Sequence, residues 1–423
     1  MTEAFLSYIW QFKHLQGRLL TTDGSEVEIL DTGQINSDSG PDFFNAKIKI
    51  NNTLWAGNVE IHKKSSDWNR HGHQNDVAYN NTILHVVFEE DIPIKTSDGN
   101  QPKCLEAKDK FSLSLLKSYD YLLHNANWIP CAKFLENTNE MIWKSWLERL
   151  AIERLEKKTK EVEAILESTQ NDWEKAFFIF LASYFGQKVN KLPFQILARG
   201  MDLNVLAKHK NEIFQLEALL FGQAGLLGSN TKDSYHKSLK AEYHFLKSKY
   251  RWVPMPKHLW KYMRLRPASF PDVRIAQMAN LLSKNDFLFS SILEKNDLTS
   301  LEKMLESEAS DYWTTHYRFG IESASKIKKL GKLSKQGLII NAIVPFLFVY
   351  GRLKSETKYE ERAILLLSML NPEKNKITRK FESLGKKAES AMESQAMIEL
   401  KNNYCSFKKC LNCQIGKSIL KPY

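Results

Sequence analysis

Two carboxylates and a histidine stand out first, because their types and spacing can do chemistry. Asp42 opens an alternating segment, and Glu60 lies on the next one, 18 residues later. Antiparallel strands joined by a tight turn bring such positions to one end of a sheet. Glu60 and His62 are two residues apart, so on a strand they project from the same face, and Lys64 follows on that face. Two carboxylates beside a base or cation are what a Mg²⁺ or Mn²⁺ phosphodiesterase needs. The carboxylates hold the hard cation, which polarises the phosphate and a bound water. A His or Lys then orients or deprotonates that water. Further histidines crowd the same window. His62, His71, His73 and His85 fall within 24 residues, with Asp67 and Asp76 among them, out of eleven histidines in the chain. The series His71-x-His73-x-x-Asp76 can supply transition-metal ligands, since neutral imidazole suits zinc or manganese. It can equally supply phosphate contacts or acid–base groups. The plainer alternative is a polar loop, with His85 buried on a core strand.

A second constellation closes the sequence. Cys405-x4-Cys410-x2-Cys413 offers three thiolates, two of them at the C-x2-C spacing that grips one metal. Cys131, in Trp128-Ile-Pro-Cys131, is the chosen fourth ligand, with Cys104 as the alternative. Four thiolates suit Zn²⁺ or a [4Fe–4S] cluster. Five cysteines, an odd number, fit metal ligands in a reducing compartment better than a disulfide framework.

The elements that must position these residues read as follows. Apolar residues at helical spacing predict a helix over 3–12. Strands are predicted over 27–30, 43–50 and 54–63. In the second of these, Phe44, Ala46, Ile48 and Ile50 alternate with Asn45, Lys47 and Lys49, and Asn51-Asn52 turns the chain tightly into the third. Ser65-Ser66-Asp67 reads as a helix start, with a helix over 68–79 weakened by Gly72. A β-branched strand over 82–89 and a last one near 104–107 complete a helix–strand–strand–strand–helix–strand order with a βαβ crossover. From about 141 the pattern becomes helical: 153–167, 173–185, 211–227, 270–282, 298–308, 337–350, 358–370 and 374–402. Loops are expected at 228–232 and 253–256. No strand pattern and no fixed repeat is visible there. The fold class is therefore α+β: a mixed-sheet front, a large all-α region, and a metal-type cysteine tail. The domains are 1–130, 131–400 and a tail, 401–423, docking on the helical domain.

Charge follows the same division. Residues 1–130 carry 12 Lys and Arg against 17 Asp and Glu, and the remainder carries 48 against 32, within an overall charge of +11. A 43% hydrophobic and 11% aromatic content excludes global disorder. The most apolar run, 338–350, is shorter than the roughly 20 residues of a spanning helix and reads as a buried helix. The N-terminus lacks a basic, then apolar, leader, so a cytoplasmic location is expected. The basic back favours a polyanionic partner. Its candidates are the lysines of 326–335 and 374–387, and His258-Leu-Trp260-Lys-Tyr262-Met-Arg264-Leu-Arg266, where aromatics interleave with cations as in a stacking platform.

The front resembles the PD-(D/E)xK nuclease superfamily, on Pro41-Asp42, Glu60-Ile61-His62 and the order of elements over about residues 1–90. The resemblance implies Asp42 and Glu60 as metal ligands and gives Glu3, on the first helix, the place of an acidic residue many members use. The chain departs from the motif in carrying His62 where the lysine stands, with Lys63 and Lys64 just after. Some members of that superfamily are stapled by an iron–sulfur cluster through three late cysteines and one distant one. There the lone cysteine usually precedes the nuclease core, whereas Cys131 follows it. Over nearly the whole chain, the runs Gly40-Pro-Asp-Phe-Phe-Asn-Ala, Gly57-Asn-Val-Glu-Ile-His, Ser65-Ser-Asp-Trp, His71-Gly-His and Leu84-His-Val-Val, with Arg266-Pro-Ala-Ser-Phe-Pro and the cysteine tail, resemble a bacterial family of unknown function. Three functions are carried forward. The first is a Mg²⁺- or Mn²⁺-dependent nuclease using Asp42, Glu60, His62 and Lys64, with Glu3, His71, His73 and Asp76 in support, acting on DNA or RNA. The second is a non-catalytic nucleic-acid-binding or scaffold protein of the same fold. The third is a histidine-based metallohydrolase on another substrate.

Overall fold

A computed structural model describes residues 1–36, 38–228 and 231–420. The turn expected at 228–232 has its centre, Ser229-Asn230, outside the described residues, as are the last three residues of the tail. The chain divides into two compact units. One comprises Met1–Trp146, Lys380–Lys386 and the described part of Glu399–Tyr423, and the other Leu147–Arg379 and Lys387–Ile398.

In the first unit, α1 (Glu3–Gln11) is capped by the Thr2 side chain, which accepts the Phe5 N–H, and buries Phe5, Leu6, Ile9 and Trp10. The strands are β1 (Val27–Asp31), β2 (Gln34–Ile35), β3 (Phe43–Ile50), β4 (Thr53–Lys64), β5 (Thr82–Glu89) and β6 (Lys103–Glu106). They form one sheet in the order β1-β3-β4-β5-β6, with β2 also on β3. β1, β3 and β4 pair antiparallel, whereas β4–β5 and β5–β6 are parallel. Parallel central strands are covered on both faces, and the first six residues of β5 are all buried. This is the expected order with one addition. β2 is two residues long and leaves no periodic signature.

Two local departures matter for the site. On β3 the buried residue is Phe43, whereas the strict alternation placed Phe44 inward. The β3–β4 register shifts between Phe43 and Ala46, and Asn45 sits in the left-handed region at φ 55°. One extra residue at such a bulge flips the side chains before it. The crossover from β4 to β5 is also not one helix. It is a single turn, α2 (Asp67–Arg70), followed by two 3₁₀ turns, His73–Asn75 and Val77–Tyr79. Gly72 stops the helix at φ 81°, and the Asp76 side chain starts the last turn by accepting the Ala78 N–H. Ser65, expected in the cap, instead anchors the crossover by donating to the Ile92 carbonyl at 2.6 Å.

After α3 (Leu113–His124) the chain becomes helical. Among the described residues, the second unit is mainly helical and also contains a small ribbon, His316–Arg318 with Ile321–Glu322, which the sequence did not announce. Its core stacks Trp173, Phe177, Phe289 and Phe346. The predicted helix over 173–185 is there as Trp173–Phe185. The apolar run forms Lys332–Leu338, a π turn at Ile339–Ile343 and Val344–Lys354. Pro345, lacking an N–H, occupies the first turn of the last piece, where no donor is needed. This stretch is long and apolar enough to cross a membrane, and 67% of its most apolar window is buried inside the fold. The helix expected over 374–402 breaks at Gly385, φ 83°, into Lys376–Glu382 and Ala391–Glu399.

The tail groups with the first unit: Lys417 lies over the Phe12 ring at 4.6 Å, the Tyr404 ring meets Trp146 at 5.4 Å, and the Lys408 ammonium donates to the Leu123 carbonyl. Its cysteines turn toward Cys131, which belongs to that unit. The whole is an α+β protein, with a sheet region first, a large helical region next and cysteines near the C-terminus.

Candidate metal centre

The bulge on β3 sets Asp42 beside β4. The Asp42 N–H donates to Glu60 Oε2 at 3.0 Å, and the Ile61 N–H donates to Asp42 Oδ2 at 3.0 Å. Glu60 and His62 alternate on β4 and are both buried. In the parallel register Glu60 stands opposite His85 of β5. His62 Nδ1 and His85 Nε2 are 2.9 Å apart, one donating to the other.

The broken crossover then returns two more imidazoles to the sheet. His71 Nδ1 lies 3.1 Å from His62 Nε2. Glu60 Oε1 lies 3.5 Å from His62 Nε2 and 3.3 Å from His73 Nε2. One ring nitrogen from each of His62, His71 and His73 falls within 4.8 Å of the other two. Donor atoms held about 2.0–2.2 Å from one ion stand roughly 3–3.5 Å from one another, so these separations are those of a shared coordination sphere. The packing behind the ligands is aromatic. Tyr79 stacks on His73 at 3.9 Å, and Trp68 presents an edge to His73 and His85, each at 5.4 Å.

Electrostatics favour a bound cation. Burial, with help from the neighbouring Glu60 and Glu3 carboxylates, pushes Asp42 up to about 7 against the opposing Ile61 N–H bond. Burial, then the His73 and His71 rings, pushes His62 down to about 3, and His85 falls well below its ordinary value for the same first reason. Tyr79 rises to about 12 through burial and the nearby carboxylates. His62 is therefore neutral at physiological pH and offers a lone pair. Glu3 Oε1, His73 Nε2 and His85 Nδ1 are buried without a hydrogen bond. His73 Nε2 faces Glu60 Oε1 at 3.3 Å without bonding it. Three imidazoles and one carboxylate suit Zn²⁺ or Mn²⁺ better than Mg²⁺, which prefers oxygen.

The other predicted residues are placed differently. Lys64 follows on the same strand but is exposed, and its N–H donates to Asp67 Oδ2 at 3.3 Å. Asp76 is exposed and serves as the turn cap described above. Asp67 pairs with Arg70 at 3.0 Å. His85, read as a core residue, proves to be the direct partner of His62. Trp68 and Tyr79 were not singled out as site residues, and their only sequence signal was aromatic character beside the histidines. Cys131, Cys405, Cys410 and Cys413 line one pocket, and Cys104, on β6, is not among its walls. In the helical unit, the aromatics of the 258–266 segment face inward. The Trp260 indole donates to the Ala224 carbonyl at 2.8 Å, and the Tyr262 hydroxyl donates to Asp272 at 2.6 Å. Arg274 bonds Ser334 and Gln277 rather than a local acid.

Fold and site together define an α+β protein whose mixed sheet carries a carboxylate–imidazole cluster, buried at Glu60, His62 and His85 and opening to solvent at His71. The chain belongs to the family described as Protein of unknown function (DUF2851), whose model matches residues 3–376. No curated protein and no solved structure matches it.

Proposed function

We propose that the protein is a metal-dependent hydrolase of phosphodiesters, nuclease-like in its sheet unit. The observation that carries this reading is the triad of His62, His71 and His73, one ring nitrogen of each within 4.8 Å of the other two, with Glu60 3.5 Å from His62 and 3.3 Å from His73 and a second carboxylate, Asp42, beside it. The three imidazoles, with Glu60, would hold the ion, Zn²⁺ or Mn²⁺ by donor type. When bound, the ion would polarise a phosphoryl oxygen and acidify a water. The protein's own groups do the rest. Hydrogen bonding to His85 fixes which nitrogen of His62 is free, as partners of metal-binding histidines do. Asp42, whose carboxyl burial and Glu60 hold above its ordinary value in the ion-free protein, stands beside Glu60 as the group to exchange a proton with a bound water. Glu3 adds negative potential behind Asp42. Lys64, being exposed, contributes charge to an approaching phosphate rather than a buried base. The basic composition after residue 130 supports a nucleic-acid partner.

The imidazole-rich donor set favours one further reading, a metallohydrolase acting on a substrate other than nucleic acid. The same experiment separates the two. Full-length protein is incubated with single- and double-stranded DNA and RNA plus Mn²⁺, Zn²⁺ or Mg²⁺, alongside Glu60→Gln and Asp42→Asn. Cleavage with Mn²⁺ or Zn²⁺ that falls roughly 10²-fold or more in Glu60→Gln is expected. Stoichiometric ion binding without cleavage of any nucleic acid moves the assignment to the second reading. Cleavage that survives both substitutions overturns the site.

A further inference from the structure

Four of the five cysteines of the first unit, Cys131, Cys405, Cys410 and Cys413, form a separate site. Cys131 is presented by a fixed loop. The Asn125 side-chain amide donates to the Pro130 carbonyl at 3.0 Å, and the Cys131 carbonyl accepts the Phe134 N–H at 2.9 Å. The other three come from a series of tight turns: a π turn at Leu400–Tyr404, 3₁₀ turns at Cys405–Phe407 and Cys410–Asn412, and the helix Gln414–Ile419. Between the 3₁₀ turns Lys408 takes the left-handed conformation at φ 52°. Gly416 is obligatory, because a Cβ there would lie 2.1 Å from the Cys410 carbonyl oxygen. This folding directs all four thiols to one pocket, whose other walls include Ile129, Leu135, Leu400 and Ile415.

No two of these sulfurs are joined in a disulfide. Thiols that merely fill a core pack against apolar neighbours; here four surround one space. Their separation chooses between the two groups that four thiolates take. In a tetrahedral zinc site with Zn–S bonds of about 2.3 Å, the sulfurs stand about 3.8 Å apart. Among the described residues, the group of three or more metal-type donors lying within 4.8 Å of one another is the histidine triad, and the thiols do not form such a group. They ring a space instead, as ligands of a multi-iron cluster must. The surroundings fit a buried anionic cluster. The Ile415 and Gly416 N–H groups and the Trp146 indole favour the Cys413 thiolate against burial, and Lys401, Lys408 and Lys417 act in the same sense on Cys405, Cys410 and Cys413 respectively. Polar and cationic surroundings of this kind tune cysteinyl clusters.

We propose that Cys131, Cys405, Cys410 and Cys413 hold a [4Fe–4S] cluster that ties the loop after α3 to the C-terminal turns. A preformed cluster handed over by ligand exchange leaves its carrier's four ligands, gains four Fe–S bonds to these cysteines, and the four thiol protons pass to the released ligands or solvent with no change of oxidation state. The site is independent of the histidine centre, so either can fail alone. The test is full-length protein produced and purified without oxygen. Brown colour with broad visible absorption is expected, with iron and acid-labile sulfide each about four per chain. Sulfide separates the cluster from iron held by the histidines. Cys413→Ser is expected to lose most of the sulfide, and Cys104→Ser, altered outside the pocket, to keep it. Colourless protein carrying one zinc, or no metal, overturns the proposal. Loss in Cys104→Ser with retention in Cys413→Ser overturns the ligand set.

Discussion

Asp42 and Glu60 each receive a hydrogen bond from the other's strand, so neither can move away to relieve the repulsion between them. In ion-free protein that repulsion has a pH signature. Between about pH 4 and 7 the folded chain keeps the Asp42 proton while the unfolded chain loses it, so this residue lowers stability as pH rises through that window. His62 acts with the opposite sign. Below its ordinary value, near 6.5, the unfolded chain takes up a proton that the folded chain refuses until about pH 3, so stability falls as pH falls. Asp42→Asn is therefore expected to raise Tm at pH 8 by on the order of 2–4 °C, the shift that about 1 kcal/mol gives a domain of this size. It is also expected to steepen the loss of stability on going from pH 7 to 4, and to reduce activity. Calorimetry of chelator-treated protein reads both slopes, and an unchanged Tm at pH 8 would contradict the buried carboxylate pair. The i, i+2 spacing of Glu60 and His62 was legible from sequence because a strand's period fixes it. The partnership of His62 with His85 was not, because it depends on a parallel register set by the crossover.

Elements rather than ligands account for most of the remaining surprises. The bulge at Asn45 turns Phe43 inward and brings the residue before it to Glu60, so a wrong side-chain choice there should be felt at the site. Asn tolerates φ 55° and a β-branched residue does not. Asn45→Val is expected to cost about 1–2 kcal/mol and to weaken ion binding, whereas Asn45→Gly leaves both nearly unchanged. Urea titration with an ion-binding measurement on each variant decides it, and equal behaviour of the two would sink the role given to the bulge. Alternation and β-branching revealed β3, β4 and β5, since a sheet face imposes its period on eight or more residues. β2 and the small ribbon are two or three residues each and impose none. The helix expected over 68–79 failed at Gly72, and that failure is useful. A continuous helix would have spaced His71 and His73 around its axis, whereas the turn at Gly72 sends both back to His62.

On the scale of the whole molecule, the +11 sums an acidic stretch over 1–130 and a basic remainder, and lysines of the helical unit are partly engaged within it. Lys329 pairs with Glu308, Lys335 with Glu306, and Lys328 lies over the Tyr317 ring at 4.2 Å. Nucleic-acid affinity should then rest on the cations left exposed and fall steeply with salt. Ion binding offers a cleaner test of the division into two units. Zn²⁺ or Mn²⁺ at 100 times its Kd is expected to stabilise the sheet unit by about 2.7 kcal/mol and to leave the unfolding of the helical unit in place. A uniform shift of the entire calorimetric profile would show instead that the two melt as one. The interrupted course of the first unit has a consequence for biosynthesis. A ribosome delivers Met1–Trp146 early, but the segment from Glu399 onward emerges only after the whole of Leu147–Arg379. At roughly 5–20 residues per second, the half-built sheet unit waits on the order of 10–50 s for its last pieces. The helical unit, Leu147–Arg379 with Lys387–Ile398, is synthesised within that wait, and the sheet unit stays incomplete for its duration.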